Sequence, residues 1–174
     1  MTIFLTTERL ILTIPEANDM DELFILQSDS EVMKYIGDGA RSRETTESFL
    51  IKSITHFAKH GFSFCSVREK SSNCFVGQAG LIYLGFDDNQ HNIEVGYRLH
   101  KNHWGKGYAT ELTKALILWA FQHLSIQKLV AVAHPDNKNS QNVLIKSGLI
   151  NSGTIEYHNK EVLFFEITRS EFLS

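Results

Sequence analysis

The chain has 174 residues, of which 43% are hydrophobic and 21% are charged, and its formal net charge is −3. This composition is typical of a globular protein, and the length predicts one domain covering residues 1–174 rather than two. The weak acidity and the lack of any run of Lys or Arg give no support to a general nucleic-acid-binding surface, and no apolar run is long enough to span a bilayer.

The N-terminus and the cysteines predict a cytoplasmic protein. The first residues lack the basic region followed by an apolar one that a secretory signal needs. The only cysteines, Cys65 and Cys74, are expected to be reduced packing residues in neighbouring strands.

The first half of the chain predicts one strand, two helices and an antiparallel hairpin. Leu10 to Ile14 is typical of a strand, which Pro15 ends. Apolar residues at helical spacing follow, and His60-Gly61 stops the second helix. The predicted elements are a strand at 10–14, a helix at 16–27, a short turn at 31–35, a helix from 42 or 43 to 59, and strands at 62–68 and 74–84.

The second half predicts a β-α-β unit, a further helix and two final strands. Because a β-α-β crossover joins parallel strands and a hairpin joins antiparallel ones, the order predicts an α+β fold. We expect a mixed, largely antiparallel sheet with one parallel pair and helices on both faces. The predicted elements are strands at 93–99, 129–132, 150–157 and 162–168, a helix from 107, and a helix from 136 or 139 to 148.

The stretch from Ile93 to Thr110 predicts an anion site, because a strand and a polar connection lead through Gly105 and Gly107 into a helix. The first N–H groups of a helix lack intrahelical partners, and glycines let a phosphate approach the main chain. A P-loop is excluded because no hydroxyl residue follows Lys106, and the dinucleotide fingerprint is excluded because Thr110 replaces its third glycine. The alternative is a tight turn before a helix.

Four motifs along nearly the full chain resemble the GNAT superfamily of N-acetyltransferases. The run Trp104–Glu111 resembles the acetyl-coenzyme A (acetyl-CoA) pyrophosphate loop Q/R-x-x-G-x-G/A, with Asn102 where the motif prefers Gln or Arg. The run Asn137–Leu149 is similar to the second coenzyme motif, N-x-x-S-x-x-V-L-x-K-x-G-F. Thr7–Leu12 and Asp29–Ile36 are similar to the RimJ and RimL branch, the ribosomal-protein N-terminal acetyltransferases. The resemblance implies a V-shaped cleft between two splayed parallel strands.

The resemblance also implies acetyl-CoA as cosubstrate and the residues that bind it. Lys101 or Lys106 would add charge beside the pyrophosphate. The main chain at Leu99 and His100 would pair with the acyl arm, and an N–H there would stabilise the oxyanion. Asn137 would bond the arm from the other side, or is only a residue of a helix N-terminal turn. Backbone N–H groups holding the pyrophosphate would be those of Gly105, Gly107, Tyr108, Ala109 and Thr110.

The general base implied by the resemblance is Glu94, at the place of a strand glutamate that works through water. Period two puts Glu94, Gly96 and Arg98 on one face of that strand. The alternative for Glu94 is a salt bridge to Arg98 or to a neighbouring strand. Glu156, near the end of the sheet, is a second candidate base.

The general acid is less defined, because Leu144 stands where many relatives have a tyrosine. Ser140 is the candidate, with Tyr108 next. The alternatives are that Ser140 bonds back to the helix main chain, or that the thiol leaves without a dedicated acid.

The histidines do not predict a metal site. His100 and His103 are three residues apart, but no H-E-x-x-H motif or Cys/His cluster accompanies them. We expect His91 and His103 to contact the acceptor instead.

The function implied by the resemblance is transfer of the acetyl group of acetyl-CoA to a primary amine by direct attack in a ternary complex. The acceptor is a protein N-terminal α-amine or a small molecule, since the fold does not fix the substrate. Two alternatives are a CoA-binding sensor without turnover, which Glu94 and Ser140 argue against, and a cofactor-free interaction domain, which the glycines argue against. We expect no nucleic-acid or membrane partner, and the sequence does not decide between a monomer and a homodimer.

Overall fold

An eight-stranded sheet lies at the centre of the molecule, in a computed structural model that describes residues 1–174. Its strands are β1 (Ile3–Thr6), β2 (Leu10–Thr13), β3 (Phe64–Glu69), β4 (Phe75–Tyr83), β5 (Ile93–Leu99), β6 (Lys128–Ala133), β7 (Ile150–Tyr157) and β8 (Lys160–Thr168). They lie in the order β1-β2-β3-β4-β5-β6-β8-β7, and all neighbours are antiparallel except β5 and β6. The predicted sheet with one parallel pair is thus confirmed.

Helices cover both faces of this sheet, as predicted. They are α1 (Met20–Gln27), α2 (Arg43–His60), α3 (Tyr108–His123), α4 (Lys138–Lys146) and α5 (Arg169–Leu173). Alternate residues of β5 show the two faces. Val95 belongs to the main core with Leu112 of α3, whereas Gly96 lies under Phe64, which packs on Phe49 of α2. None of the helices is long and apolar enough to cross a membrane.

Local signals set the ends of the helices. At the start of α2, Ser42 Oγ accepts the Thr45 N–H at 3.1 Å, and Gly61 ends this helix with φ of +77°, a value that favours glycine. The α4 helix starts similarly, because Asn137 Oδ1 accepts the Ser140 N–H at 3.1 Å. The chain therefore turns into its helices where capping residues satisfy the free N–H groups.

Short elements differ from the prediction. The prediction lacks β1, an edge strand of 4 residues, and α5, a helix of 5 residues. A 3₁₀ turn at Ala17–Asp19 replaces the first turn of the predicted helix 16–27. The α4 helix begins at Lys138, between its two predicted starts. Such short pieces contain too few residues to give a periodic apolar pattern.

The two cysteines differ in environment, and both are free thiols. Cys65 is buried in β3 and is a packing residue, as predicted. Cys74 is exposed in the turn before β4, so the prediction of a second packing cysteine within a strand is wrong.

Candidate active site

An opening in the sheet lies between β5 and β6. β5 pairs with β4 from Ile93 to Leu99, but its parallel pairing with β6 has only Glu94 opposite Val130. From Val95 onward β5 therefore has a free edge on this side, and Glu94 lies at the apex of the opening. This geometry confirms the splayed pair that the family resemblance implies.

The main chain at the end of β5 has two different environments. The His100 N–H donates to the Val76 carbonyl at 2.9 Å, so it is already used by the β4 ladder. Because successive backbone groups point to opposite edges of a strand, the Leu99 N–H faces the opening. The Leu99 carbonyl accepts a hydrogen bond from Trp104 Nε1 at 2.8 Å. The predicted contact of the His100 N–H with the acyl arm is therefore wrong, whereas the Leu99 N–H remains free for such a contact.

The glycine loop, residues 104–107, leads into α3 and leaves a run of backbone donors free. Gly105 and Gly107 have φ of +73° and +79°, and a Cβ at Gly105 would meet no atom within 4 Å. The Trp104 N–H donates to the Lys101 carbonyl, and the Glu111 N–H donates to the Gly107 carbonyl. No backbone N–H between these two has a backbone acceptor. The donors include every predicted main-chain contact with the pyrophosphate, from Gly105 to Thr110, and those of Tyr108, Ala109 and Thr110 point out of the N-terminus of α3.

Arg9 fixes the shape of the glycine loop, a role that sequence reasoning missed. Its Nη1 donates to the Lys106 carbonyl at 2.9 Å and its Nε to Glu111 Oε2 at 2.7 Å. The guanidinium also lies 4.5 Å from the centre of the Tyr108 ring. Arg9 therefore holds the loop and neutralises the one carboxylate in the first turn of α3. The signal was the Thr7–Leu12 motif, which suggested a family branch but no contact.

Three polar side chains beside the glycine loop lie close to the carboxylate of Glu69. The Tyr108 hydroxyl donates to Glu69 Oε1 at 2.7 Å, which raises the pKa of Tyr108. His103 Nδ1 lies 3.6 Å and Lys106 Nζ 4.0 Å from the same oxygen. Tyr108 is therefore not a good candidate for the general acid. His103 Nδ1 is buried without a hydrogen-bond partner, and its predicted contact with an acceptor stays a prediction. Lys101 forms an exposed ion pair at 3.4 Å with Glu31, which lies in the α1–α2 connection.

Two hydroxyl groups meet across the opening. Tyr97 of β5 donates through its hydroxyl to Ser140 Oγ of α4, at 3.3 Å. Burial raises the pKa of Tyr97, against the effect of this bond. Asn137 caps α4 through its carbonyl oxygen, which leaves its side-chain NH₂ free. Sequence reasoning found Ser140 and Asn137 by motif but missed Tyr97, because only the splay of β5 from β6 brings it to α4.

Glu94 is a buried carboxyl at the apex of the opening. The Tyr157 hydroxyl donates to its Oε2 at 3.3 Å. Burial raises the pKa of Glu94 to about 7, against the opposing effects of the Tyr157 hydrogen bond and the charge of Arg98. The alternative salt bridge is not formed, since Arg98 Nε and Nη1 have no hydrogen-bond partner. A carboxyl that titrates near neutral pH is suited to act as a general base.

The second candidate base, Glu156, points away from this site. Its neighbour Tyr157 contacts Glu94, and successive residues of a strand face opposite sides. Glu156 is accordingly exposed on β7, so the prediction of a role at the site is wrong. His91 is exposed in the β4–β5 connection, where its predicted contact with an acceptor stays a prediction.

One group of possible metal ligands, His56, His60 and Asp88, has its ligand atoms within 4.8 Å of one another. Both ring nitrogens of His56 are already used, by the Phe62 carbonyl at 2.7 Å and the Tyr83 N–H at 3.2 Å. His60 Nε2 lies 2.7 Å from Asp88 Oδ1. These contacts tie α2 to the β4–β5 connection, and we interpret the group as structural.

Solved structures share this fold. A GNAT-family acetyltransferase from Bacillus anthracis superposes with a TM-score of 0.81 at 26% identity, over 98% of this chain and 99% of that one. AAC(6')-Ib in complex with paromomycin and acetyl-CoA gives a TM-score of 0.80 at 18% identity, over 95% and 97% of the two chains. A Vibrio cholerae protein, provisionally named a ribosomal-protein-serine acetyltransferase, gives 0.74 at 22% identity, over 97% and 99%. The last two likenesses show the fold alone.

Family membership is shown by sequence. The model of the acetyltransferase (GNAT) domain matches residues 9–150. The uncharacterized protein YkkB of Bacillus subtilis (strain 168) is 31% identical over 163 residues, which are 93% of this chain and 94% of YkkB. The uncharacterized N-acetyltransferase YnaD of the same organism is 29% identical over 149 residues, 86% of this chain and 84% of YnaD. The chain therefore belongs to the GNAT acetyltransferase family and is an acyltransferase.

Proposed function

We propose that the protein, as a single domain, transfers the acetyl group of acetyl-CoA to a primary amine by direct attack in a ternary complex. The observation that carries this proposal is the opening between β5 and β6, which has free backbone donors of the glycine loop at its mouth and Glu94 at its apex. AAC(6')-Ib, which has the same fold, has been solved with acetyl-CoA, and this supports the choice of cosubstrate.

The residues at the mouth fit a diphosphate. The N–H run from Gly105 to Thr110 is free, and open space beside Gly105 leaves room for the phosphate oxygens. Lys101 and Lys106 add positive charge nearby. Asn102, which stands where the motif prefers Gln or Arg, weakens one side-chain contact but leaves the main-chain donors in place.

Two further groups would hold the acyl arm. The Leu99 N–H faces the free edge of β5 and would stabilise developing negative charge on an acyl oxygen. The free NH₂ of Asn137 would donate from the α4 side. Acetyl-CoA, when bound, supplies an activated thioester, and the chain supplies its orientation and the proton transfers.

Glu94 would act as the general base. With a pKa of about 7, it is partly ionised at neutral pH and can take a proton from an incoming ammonium group, directly or through water. Ser140 would donate a proton on the sulfur side, with the Tyr97 hydroxyl 3.3 Å behind it. The proposed acid and base thus lie on opposite sides of the opening, one on the side of the sulfur and the other on the side of the amine.

The acceptor is a primary amine, and the RimJ and RimL resemblance favours the α-amine of a protein N-terminus. The fold likeness to a Vibrio cholerae protein provisionally named a ribosomal-protein-serine acetyltransferase is in line with this choice. AAC(6')-Ib, solved with paromomycin, exemplifies the small-molecule alternative. We propose a cytoplasmic protein, a monomer or homodimer, with no nucleic-acid or membrane partner.

Binding and turnover test this proposal separately. Calorimetric titration with acetyl-CoA and CoA, with ATP as the comparison ligand, should show saturable binding of both CoA forms. Gly107→Val should weaken this binding, whereas Gly61→Val should not, although both glycines have nearly the same φ, +79° and +77°. Unchanged affinity in folded Gly107→Val would remove the phosphate assignment. Thiol release on at least one class of amine then establishes the enzyme, and binding without release on any amine indicates a sensor.

A further inference from the structure

Arg98, on the same face of β5 as Glu94, is a buried cation without a partner. The residue is only 7% exposed, and its Nε and Nη1 are fully buried without a hydrogen-bond acceptor. Its guanidinium lies 4.7 Å from the centre of the Phe49 ring and 5.3 Å from that of Phe64. Ring contacts leave the in-plane N–H groups of a guanidinium unused. A buried charge is normally paired, and this one has no carboxylate within ion-pair distance.

A second cation, Arg41, also contacts the Phe49 ring. Its guanidinium lies 4.8 Å from the centre of Phe49. Arg41 Nη1 donates to Gln27 Oε1 at 2.8 Å, and Gln27 Nε2 donates to Gln78 Oε1 at 2.8 Å. Gln78 in turn lies opposite Arg98 in the β4–β5 register. Arg41 is therefore held by a neutral amide, and neither guanidinium forms an ion pair with a carboxylate, although the charge of Glu94 acts on Arg98 without contact.

This cationic pair lies near the proposed base. Arg98 and Glu94 are four residues apart on one strand face, which corresponds to about 13 Å between their Cα atoms. Tyr157 links the two, because it bonds Glu94 and is close enough to influence both Arg41 and Arg98 electrostatically. An acceptor whose amine reaches Glu94 therefore approaches the face of the sheet that carries both guanidiniums, neither of which has an ion-pair partner.

We infer that the acceptor amine also carries a carboxylate, which Arg98 and Arg41 bind while the amine approaches Glu94. This inference rests on the proposed function and narrows its substrate class. The planar fork of a guanidinium matches the two oxygens of a carboxylate and can donate to both. The acceptor is then a small amino-carboxylate or a peptide whose N-terminal residue is acidic, and both supply an ion-pair partner.

Matched acceptors that differ only in charge test the inference. Thiol release is measured with β-alanine against β-alanine amide, and with Asp-Ala amide against Asn-Ala amide. In the wild-type protein, kcat/KM for at least one of the two acids should be roughly 30-fold or more above that for its neutral partner. This ratio corresponds to the cost of removing one partner of a buried charge pair. Arg98→Gln and Arg41→Gln should each lose most of this preference. Arg43→Gln, which removes an exposed arginine paired with Asp21, is the matched control and should keep it.

The outcomes separate the two proposals. Equal rates with acids and neutral amines would overturn the carboxylate inference but keep the acetyltransferase. If no amine releases thiol, binding of the acids is measured by the upward shift in unfolding temperature that a ligand of the folded state causes. A shift with the acids alone that Arg98→Gln abolishes supports the carboxylate site without turnover, and no shift overturns it. If Arg98→Gln fails to fold, the half-buried Arg41→Gln carries the same test.

Discussion

Replacing Glu94 with Gln distinguishes a catalytic base from a structural carboxylate, because the two roles predict opposite changes in stability. Burial raises the pKa of this carboxyl from 4.5 to about 7. A carboxyl whose pKa is higher in the folded than in the unfolded state binds a proton on folding, so its ionisation destabilises the fold as pH rises. That loss begins above 4.5 and is complete above about 7.

The size of the effect follows from the two pKa values. A difference of between two and three units corresponds to about 3 kcal/mol in the free energy of unfolding. Glu94→Gln removes the charge and keeps an oxygen that can accept the Tyr157 hydroxyl. We therefore expect this variant to be more stable than the wild type by up to about 3 kcal/mol at pH 8, and to differ little at pH 4.5.

Activity should change in the other direction. Wild-type kcat/KM should rise with pH through an apparent pKa near 7, as Glu94 loses its proton. The variant should lose this rise and fall by about 10² to 10⁴-fold. Urea unfolding at both pH values measures the effect on stability, and thiol release across the pH range measures the effect on activity. The control is Glu156→Gln, which changes an exposed glutamate next to Tyr157 on β7. The reasoning would be refuted if Glu94→Gln were less stable than the wild type at pH 8, or if kcat/KM of the variant rose with pH as it does in the wild type.

Two further predictions concern the acid and the glycine loop. Tyr97→Phe and Ser140→Ala should each lower kcat by roughly tenfold, and the double variant by little more, because both act on one proton path. Unchanged kcat in both would mean that the thiol leaves without a side-chain acid. Arg9→Met should keep the packing on Tyr108 but lose the bonds to the loop, and weaken CoA binding by roughly fivefold to tenfold. Calorimetry tests this against the surface variant Arg43→Met, and equal affinities would contradict the role of Arg9.

The parts of the site that depend on local sequence could be predicted. Gly105 and Gly107 mark the turn into α3 because their positive φ is a property of the turn itself. The strand 93–99 and the shared face of Glu94 and Arg98 follow from period two alone. The capping role of Asn137 was weighed from its position before a helix, and the structure shows it.

The remaining parts depend on contacts between distant segments. Tyr97 meets Ser140, and Tyr157 meets Glu94, across separations of 43 and 63 residues. No local pattern gives such pairs, nor does one show that Arg98 Nε and Nη1 lack a hydrogen-bond partner. The His100 error has the same origin, since only the β4–β5 register decides which edge an N–H faces. For α5, in contrast, a readable signal was overlooked, because the Thr168 capping box with its glutamate three residues later is visible in the sequence.

The single registered pair between β5 and β6 also divides the protein mechanically. Strands β1 to β5 form one continuous ladder, and β6, β8 and β7 form another. Main-chain pairing across the seam between them is limited to Glu94 opposite Val130, and the packing of α3 on β5 and on α4 adds side-chain contacts there. A molecule lying along the free edge of β5 would stiffen this seam. Occupancy of the opening and relative motion of the two ladders are then linked, and each must influence the other.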